Sequence, residues 1–197
     1  MISLDTYWYV GRGSGIVAYL LLTVVVVLGI ALSRRWHGAS WPRFVVFEAH
    51  RWATITFYLF VAVHVAFLLL DPFFGLTPVD VAVPFLNHYR PLWFGLGIIA
   101  AELAVAVGAS FWVRDRIGYR AWHALHGLAY PIFIASLLHG VGAGTDTGTW
   151  WASLLYGIST CAVVAATVWR MVRPLRARVA LMTASVVAVA VLFGGVL

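Results

Sequence analysis

The sequence predicts an all-α integral membrane protein, a bundle of six transmembrane helices with both termini outside, and three observations predict it. Hydrophobic residues make up 63% of the 197 positions and charged residues 10%, a balance that soluble domains do not carry. Apolar blocks of roughly spanning length recur at Gly15 to Ser33, Phe44 to Leu70, Leu92 to Val113, Ala121 to Val141, Trp150 to Val172 and Val179 to Leu197. The basic residues are all arginines, and Arg34, Arg35, Arg43, Arg114, Arg116, Arg120, Arg170, Arg173, Arg176 and Arg178 fall in three alternate connections, leaving only Arg12 and Arg90 for the other side. Such a bias puts the three arginine-rich connections in the cytoplasm and the chain in the cytoplasmic membrane, with lipid as its surroundings. The net charge of +6 therefore marks topology; the arginines sit at helix ends and form no separate basic face for nucleic acid.

The first block follows Asp5, a group of aromatics and a lone arginine. It lacks a basic start and a small-residue cleavage pattern, so it reads as a retained span. Tyr7, Trp8 and Tyr9 stand where the outer interface should be. The second block carries His50 and His64. The connection from Asp71 to Pro91 is the longest, with Pro72, Pro78 and Pro84 inside it, and its Phe73, Phe74, Phe85 and Tyr89 predict an external segment packed down as a lid. His88 in that segment reads as interfacial. Glu102 lies near the middle of the third block, where a carboxylate is expected to be satisfied within the bundle or to serve a proton path. The fourth block carries His126 and His139 with Pro131 between them. The Gly142 to Thr149 connection is glycine-rich but lacks the strand-then-helix context of a phosphate loop. Cys161, the sole cysteine, allows neither a disulfide nor a thiolate cluster.

The histidines organise the chain. At the helical rise His50 and His64 are roughly 21 Å apart along their axis, and His126 and His139 roughly 19.5 Å. If the two helices run side by side in one direction, His50 faces His126 near the cytoplasmic surface and His64 faces His139 near the outer one. Fourteen residues fall only about 40° short of four turns, so His50 and His64 share a face; thirteen fall about 140° short, so the second helix must be rephased, for which Pro131 is the expected place. His123, one turn before His126, lies about 24 Å from His139 on the same rise and matches the 21 Å spacing less well. No single zinc or copper ion collects four imidazoles several turns apart, since its ligands lie at about 2 Å. Haem takes one imidazole above and one below the macrocycle, and two facing helices supply that twice. The pattern is that of a dihaem b cytochrome, with His50, His64, His126 and His139 as iron ligands. Arg51 either pairs with Glu48 three residues before it or neutralises an inner haem propionate. Arg12 is either an interfacial anchor or a partner for an outer propionate.

His50-Arg51 with His64, followed by Trp122-x-x-Leu125-His126-Gly127-x-x-Tyr130 with His139, resembles the ferric reductase-like transmembrane domain. That superfamily includes ferric reductases and NADPH oxidases and, more distantly, the haem subunit of the periplasmic methionine sulfoxide reductase system. The resemblance covers essentially the whole chain as a single domain, residues 1–197. It implies two b haems held between the histidine helices by the same four histidines. No FAD- or NADPH-binding domain is expected within these 197 residues, so the resemblance implies an electron conduit fed by a separate flavoprotein or by membrane quinol. Its acceptor would be extracytoplasmic: ferric iron, oxygen or a partner redox protein. No catalytic residue is assigned. The competing class is a non-redox transporter or assembly subunit with structural or pH-sensing histidines, and a reducible low-spin b-type spectrum separates the two.

Overall fold

A computed structural model describes residues 4–34, 36, 38 and 41–172. The expected sixth span, Val179 to Leu197, and Arg173, Arg176 and Arg178 lie outside the described residues. Five helices follow one another, α1 Leu4–Ser33, α2 Arg43–Leu70, α3 Pro91–His126, α4 Ala129–Ala143 and α5 Trp150–Met171. Among the described residues four stretches are long and apolar enough to cross a membrane: Asp5–Ser33, Arg43–Leu70, Pro91–Ala143 and Trp150–Met171. The chain divides into two compact units, Met1–Tyr19 with Phe57–Gly144, and Leu20–Thr56 with Thr145–Leu197.

In the first unit the start of α1 lies against the end of α2. Tyr7 meets Phe67 at 6.2 Å between ring centroids, Gly11 approaches Phe67 and Leu68, and Gly15 approaches His64. Numbers rise on one helix as they fall on the other, so the pair is antiparallel. Helix α1 thus begins eleven residues before the expected Gly15. The aromatic entry is itself helical, with Asp5 in the first turn, where the helix dipole favours a negative charge. Ser14 keeps its hydroxyl satisfied within the helix, donating to the carbonyls of Val10 at 2.6 Å and Gly11 at 2.9 Å. One turn beyond Gly15, Tyr19 stacks on Phe133 of α4 at 5.7 Å, while His64, at the level of Gly15, meets His139. Later residues of α1 therefore meet earlier residues of α4, and α2 and α4 run in the same direction.

The longest apolar stretch is a hairpin. A straight helix of its 53 residues would be about 80 Å long, yet its two ends touch. Arg90 donates to the Gly142 carbonyl at 2.7 Å, and the Trp93 carbonyl takes a bond from His139 Nδ1 at 2.8 Å. The reversal is at Gly118, with φ 79° and ψ 159°, a region open essentially to glycine alone. The third block accordingly continues past Val113 as helix to residue 117. Arg114, Arg116 and Arg120, expected in a loop, are helical on either side of one residue. Glu102, expected within the bundle, is exposed. Ala100 and Ala104 are its buried neighbours, and two residues of an α-helix turn about 200°, which carries Glu102 to the opposite side.

The second histidine block breaks at Gly127 and Leu128, before Pro131. Gly127 and Leu128 have φ −62° and −63° with ψ −19° and −8°. The amide of Gly127 is shared between the carbonyls of His123 and Ala124, while that of Leu128 bonds the Leu125 carbonyl and that of Tyr130 the Gly127 carbonyl, three residues back as in a 3₁₀ turn. Pro131 falls in the first turn of α4, where a missing N–H costs least. Each residue wound at three per turn advances about 20° further than at 3.6. Tightening at Gly127 and Leu128 recovers part of the phase that a straight helix from His126 to His139 lacks.

The connection between α2 and α3, expected to pack down, does so only in part, since Phe73 and Phe85 are exposed. Phe73, Phe74, Tyr89 and Phe94 form a cluster of ring contacts. The Asp71 and Asn87 side chains are buried and accept the amide N–H groups of Phe73 and Tyr89. At its exposed turn Asp80 accepts the Thr77 hydroxyl at 2.6 Å and the Thr77 amide at 2.8 Å. These bonds, the hydroxyl's first, hold its carboxyl below the ordinary value.

The second unit contains the later part of α1, the start of α2 and α5. Val46 is fully buried, and Arg34 lies over the Trp169 ring at 5.5 Å. Thr149 caps α5 by accepting the Ala152 amide. Thr160 and Thr167 bond back to the carbonyls of Tyr156 and Val163, so these two hydroxyls of the apolar helix are satisfied internally.

Candidate functional site: a facing pair of histidines

His64 and His139 come together. They lie on the parallel helices α2 and α4, half-buried, with ring centroids 6.2 Å apart and planes at 76°. Each ring is fixed from behind by a third or fourth helix. His64 Nδ1 lies 2.6 Å from the Gly11 carbonyl on α1, and His139 Nδ1 lies 2.8 Å from the Trp93 carbonyl on α3. A carbonyl only accepts, so Nδ1 is the donor in both bonds and Nε2 keeps its lone pair. This is the tautomer in which an imidazole binds a metal through Nε2, with an outer partner setting the ring's orientation. Phe94 meets His139 edge-on at 6.1 Å, which leaves the neighbourhood of the pair apolar.

His50 is held in the same manner, within the second unit. Its Nδ1 lies 3.0 Å from the Val25 carbonyl, and Gly29 lies against its ring. His126 ends α3 in the first unit, half-buried, with its ring stacked on Trp122 at 5.2 Å and 29°. The Trp122 Nε1 atom is buried and has no hydrogen-bond partner among the described residues. His123 is exposed and stacks on Tyr119 at 5.6 Å, and His88 is exposed on its loop. Arg51 Nη2 pairs with Glu48 Oε2 at 2.8 Å and its guanidinium lies over Trp52 at 5.3 Å. The local ion pair, one of the two readings of Arg51, is formed. The Arg12 guanidinium lies over Trp8 at 4.7 Å, as an interfacial anchor would.

Among the described residues no three His, Cys, Asp or Glu side chains converge as a metal-ion cluster requires. A facing pair of donors such as His64 and His139 suits a planar group held from two sides. Sequence reasoning missed the backbone carbonyls and glycines behind the rings and missed Tyr58, whose hydroxyl donates to the Ala104 carbonyl at 2.5 Å. A visible signal existed: Gly15 and Gly29 are separated by fourteen residues, the interval between His50 and His64.

A family model described as ferric reductase-like transmembrane component matches residues 14–137, well over half of the chain, and takes in His50, His64 and His126 but stops two residues before His139. No curated protein and no solved structure matches the chain.

Proposed function

We propose, since the chain belongs to the ferric reductase-like transmembrane family, that it is a transmembrane b-type cytochrome, an oxidoreductase subunit that carries electrons across the membrane through two bis-histidine haems. The observation that supports this most is the His64–His139 separation. Two facing imidazoles with unprotonated Nε2 atoms would be the residues to hold a haem iron from either side. The rings lie 6.2 Å apart, with both Nε2 lone pairs kept for such a ligand. His50 and His126 would hold the second group, and the unpartnered Trp122 indole N–H would suit one of its carboxylates.

When bound, each haem supplies a reversible one-electron couple whose potential follows its axial ligands and surroundings. The chain's residues hold the imidazoles in one tautomer, exclude water with Phe94 and its aromatic neighbours, and keep the ligands on helices, where their geometry is least mobile. The wider reading has six spans with both termini outside, in the cytoplasmic membrane. A cytoplasmic flavoprotein or a membrane quinol would be the donor to a group held by His50 and His126, and an extracytoplasmic acceptor such as ferric iron, oxygen or a partner redox protein would take electrons from the group held by His64 and His139.

The test is the reduced-minus-oxidised spectrum of the detergent-purified chain with a haem-to-protein ratio. Two low-spin b haems per chain are expected, falling to one in His64→Ala and His139→Ala and to the other one in His50→Ala and His126→Ala. Purified protein without a low-spin b signal, from cells supplied with haem, would remove this reading in favour of the non-redox class.

A further inference from the structure

A backbone carbonyl four residues before a glycine recurs in this structure, and each time the carbonyl takes a side-chain donor from another helix. The pairs are Gly11 with Gly15, Val25 with Gly29, Trp93 with Gly97, and Ala104 with Gly108. Their donors are His64 Nδ1 at 2.6 Å, His50 Nδ1 at 3.0 Å, His139 Nδ1 at 2.8 Å and the Tyr58 hydroxyl at 2.5 Å. There is a geometric reason. In an α-helix the carbonyl of residue i points at the amide of residue i+4, and every Cβ tilts toward the helix N-terminus, so the side chain at i+4 leans over that carbonyl. Glycine at i+4 uncovers the carbonyl's second lone pair. A methyl group built on Gly15 would lie 2.8 Å from His64 Nδ1, and one on Gly97 2.6 Å from His139 Nδ1; neither ring could stay where it is. On Gly29 the same methyl would lie 3.4 Å from His50 Cε1, an ordinary contact.

We infer that Gly15 and Gly97 are positioning residues of the His64/His139 site, exposing the Gly11 and Trp93 carbonyls that fix both imidazoles as Nδ1–H tautomers with Nε2 presented to the ligand. The inference rests on the proposed haem reading. It separates the four glycines: Gly15 and Gly97 govern ligation, Gly29 tolerates a methyl, and Gly108 receives a tyrosine that ligates nothing. Alanine at Gly15 or Gly97 displaces the ring, breaks its N–H···O bond and releases the tautomer.

The experiment compares Gly15→Ala, Gly97→Ala, Gly29→Ala and Gly108→Ala in the full chain. Gly15→Ala and Gly97→Ala are expected to lose one of two low-spin haems, or to convert it to high spin with altered electron-spin-resonance g values. Gly29→Ala and Gly108→Ala keep two with wild-type g values. A second comparison separates positioning from a folding defect. With His139→Gly and free imidazole supplied, the untethered ring no longer needs the space above Gly97, so Gly97→Ala adds no further loss. Two wild-type haem signals in both Gly15→Ala and Gly97→Ala overturn the proposal. So does a Gly97→Ala defect that persists with free imidazole, or Gly29→Ala failing as badly as Gly97→Ala. Imidazole nitrogen-15 spectra of the purified, reduced protein stand apart from haem content. Nδ1–H tautomers of His64 and His139 that change in the two alanine variants support the positioning role even if the haem reading falls, and unchanged tautomers overturn it.

Discussion

On α2 two neighbouring residues have different partners although both fall in the stretch expected to serve an inner haem. His50 turns its ring to the Val25 carbonyl, whereas Arg51 pairs with Glu48 and lies over Trp52, its side chain about half exposed. An exposed pair of this kind contributes about 0 to 1 kcal/mol. Arg51→Gln is therefore expected to leave the haem-to-protein ratio unchanged and to lower the thermal midpoint little, while His50→Ala takes away one haem. A haem lost in Arg51→Gln would return the guanidinium to a propionate. At this scale four histidines at matched intervals in apolar helices are visible in the sequence without coordinates, and two of them, His64 and His139, come together. The sequence did not show what holds them. A carbonyl has no residue type, and the glycines that expose Gly11 O and Trp93 O matter only through rings arriving from other helices.

Element boundaries depend on local backbone chemistry, and here the sequence was legible in part. Five of the apolar blocks correspond to helices, counting the two arms of the Gly118 hairpin. The rephasing expected at Pro131 occurs instead at Gly127 and Leu128. Proline in the first turn of a helix needs no partner for its missing N–H, so the distortion moves to the glycine before it, where tightened i to i+3 bonds are tolerated. The reversal itself rests on Gly118, whose φ of 79° no side chain readily adopts and beside which an added methyl meets nothing within 4 Å. Substitution there is thus a conformational cost without a steric one, on the order of 1–3 kcal/mol. Gly118→Ala should lower the thermal midpoint of the purified protein and leave the haem spectrum of the folded fraction unaltered. A spectrum that changes with an unaltered midpoint would mean that the turn acts on the ligands and not on the hairpin.

Across the whole molecule the arginines make a claim about sidedness that the hairpin allows to be tested directly. Residues 91–117 form one helical arm of about 40 Å at the helical rise, longer than the roughly 30 Å hydrocarbon core. The connection between α2 and α3 and the turn at Gly118 must then lie on opposite membrane faces if that arm crosses. The turn carries Arg114, Arg116 and Arg120 with Asp115, whereas the connection carries one arginine, Arg90, with Asp71 and Asp80; the positive-inside bias puts the turn in the cytoplasm. Val79 and Arg116 are both exposed, so both suit a reporter thiol once Cys161, the native cysteine, is replaced by serine. In that background Val79→Cys should react with a membrane-impermeant maleimide added to intact spheroplasts, and Arg116→Cys should react only after the membrane is opened. The reverse pattern would invert the topology and place the His64/His139 pair toward the cytoplasm, so electrons would have to leave on that side. Equal labelling of both thiols in sealed spheroplasts would mean that the arm does not cross at all. In that case the length and apolarity of residues 91–117 would have to be explained by packing against another protein surface, and the reading of the two histidine pairs as a path across the bilayer would go with it.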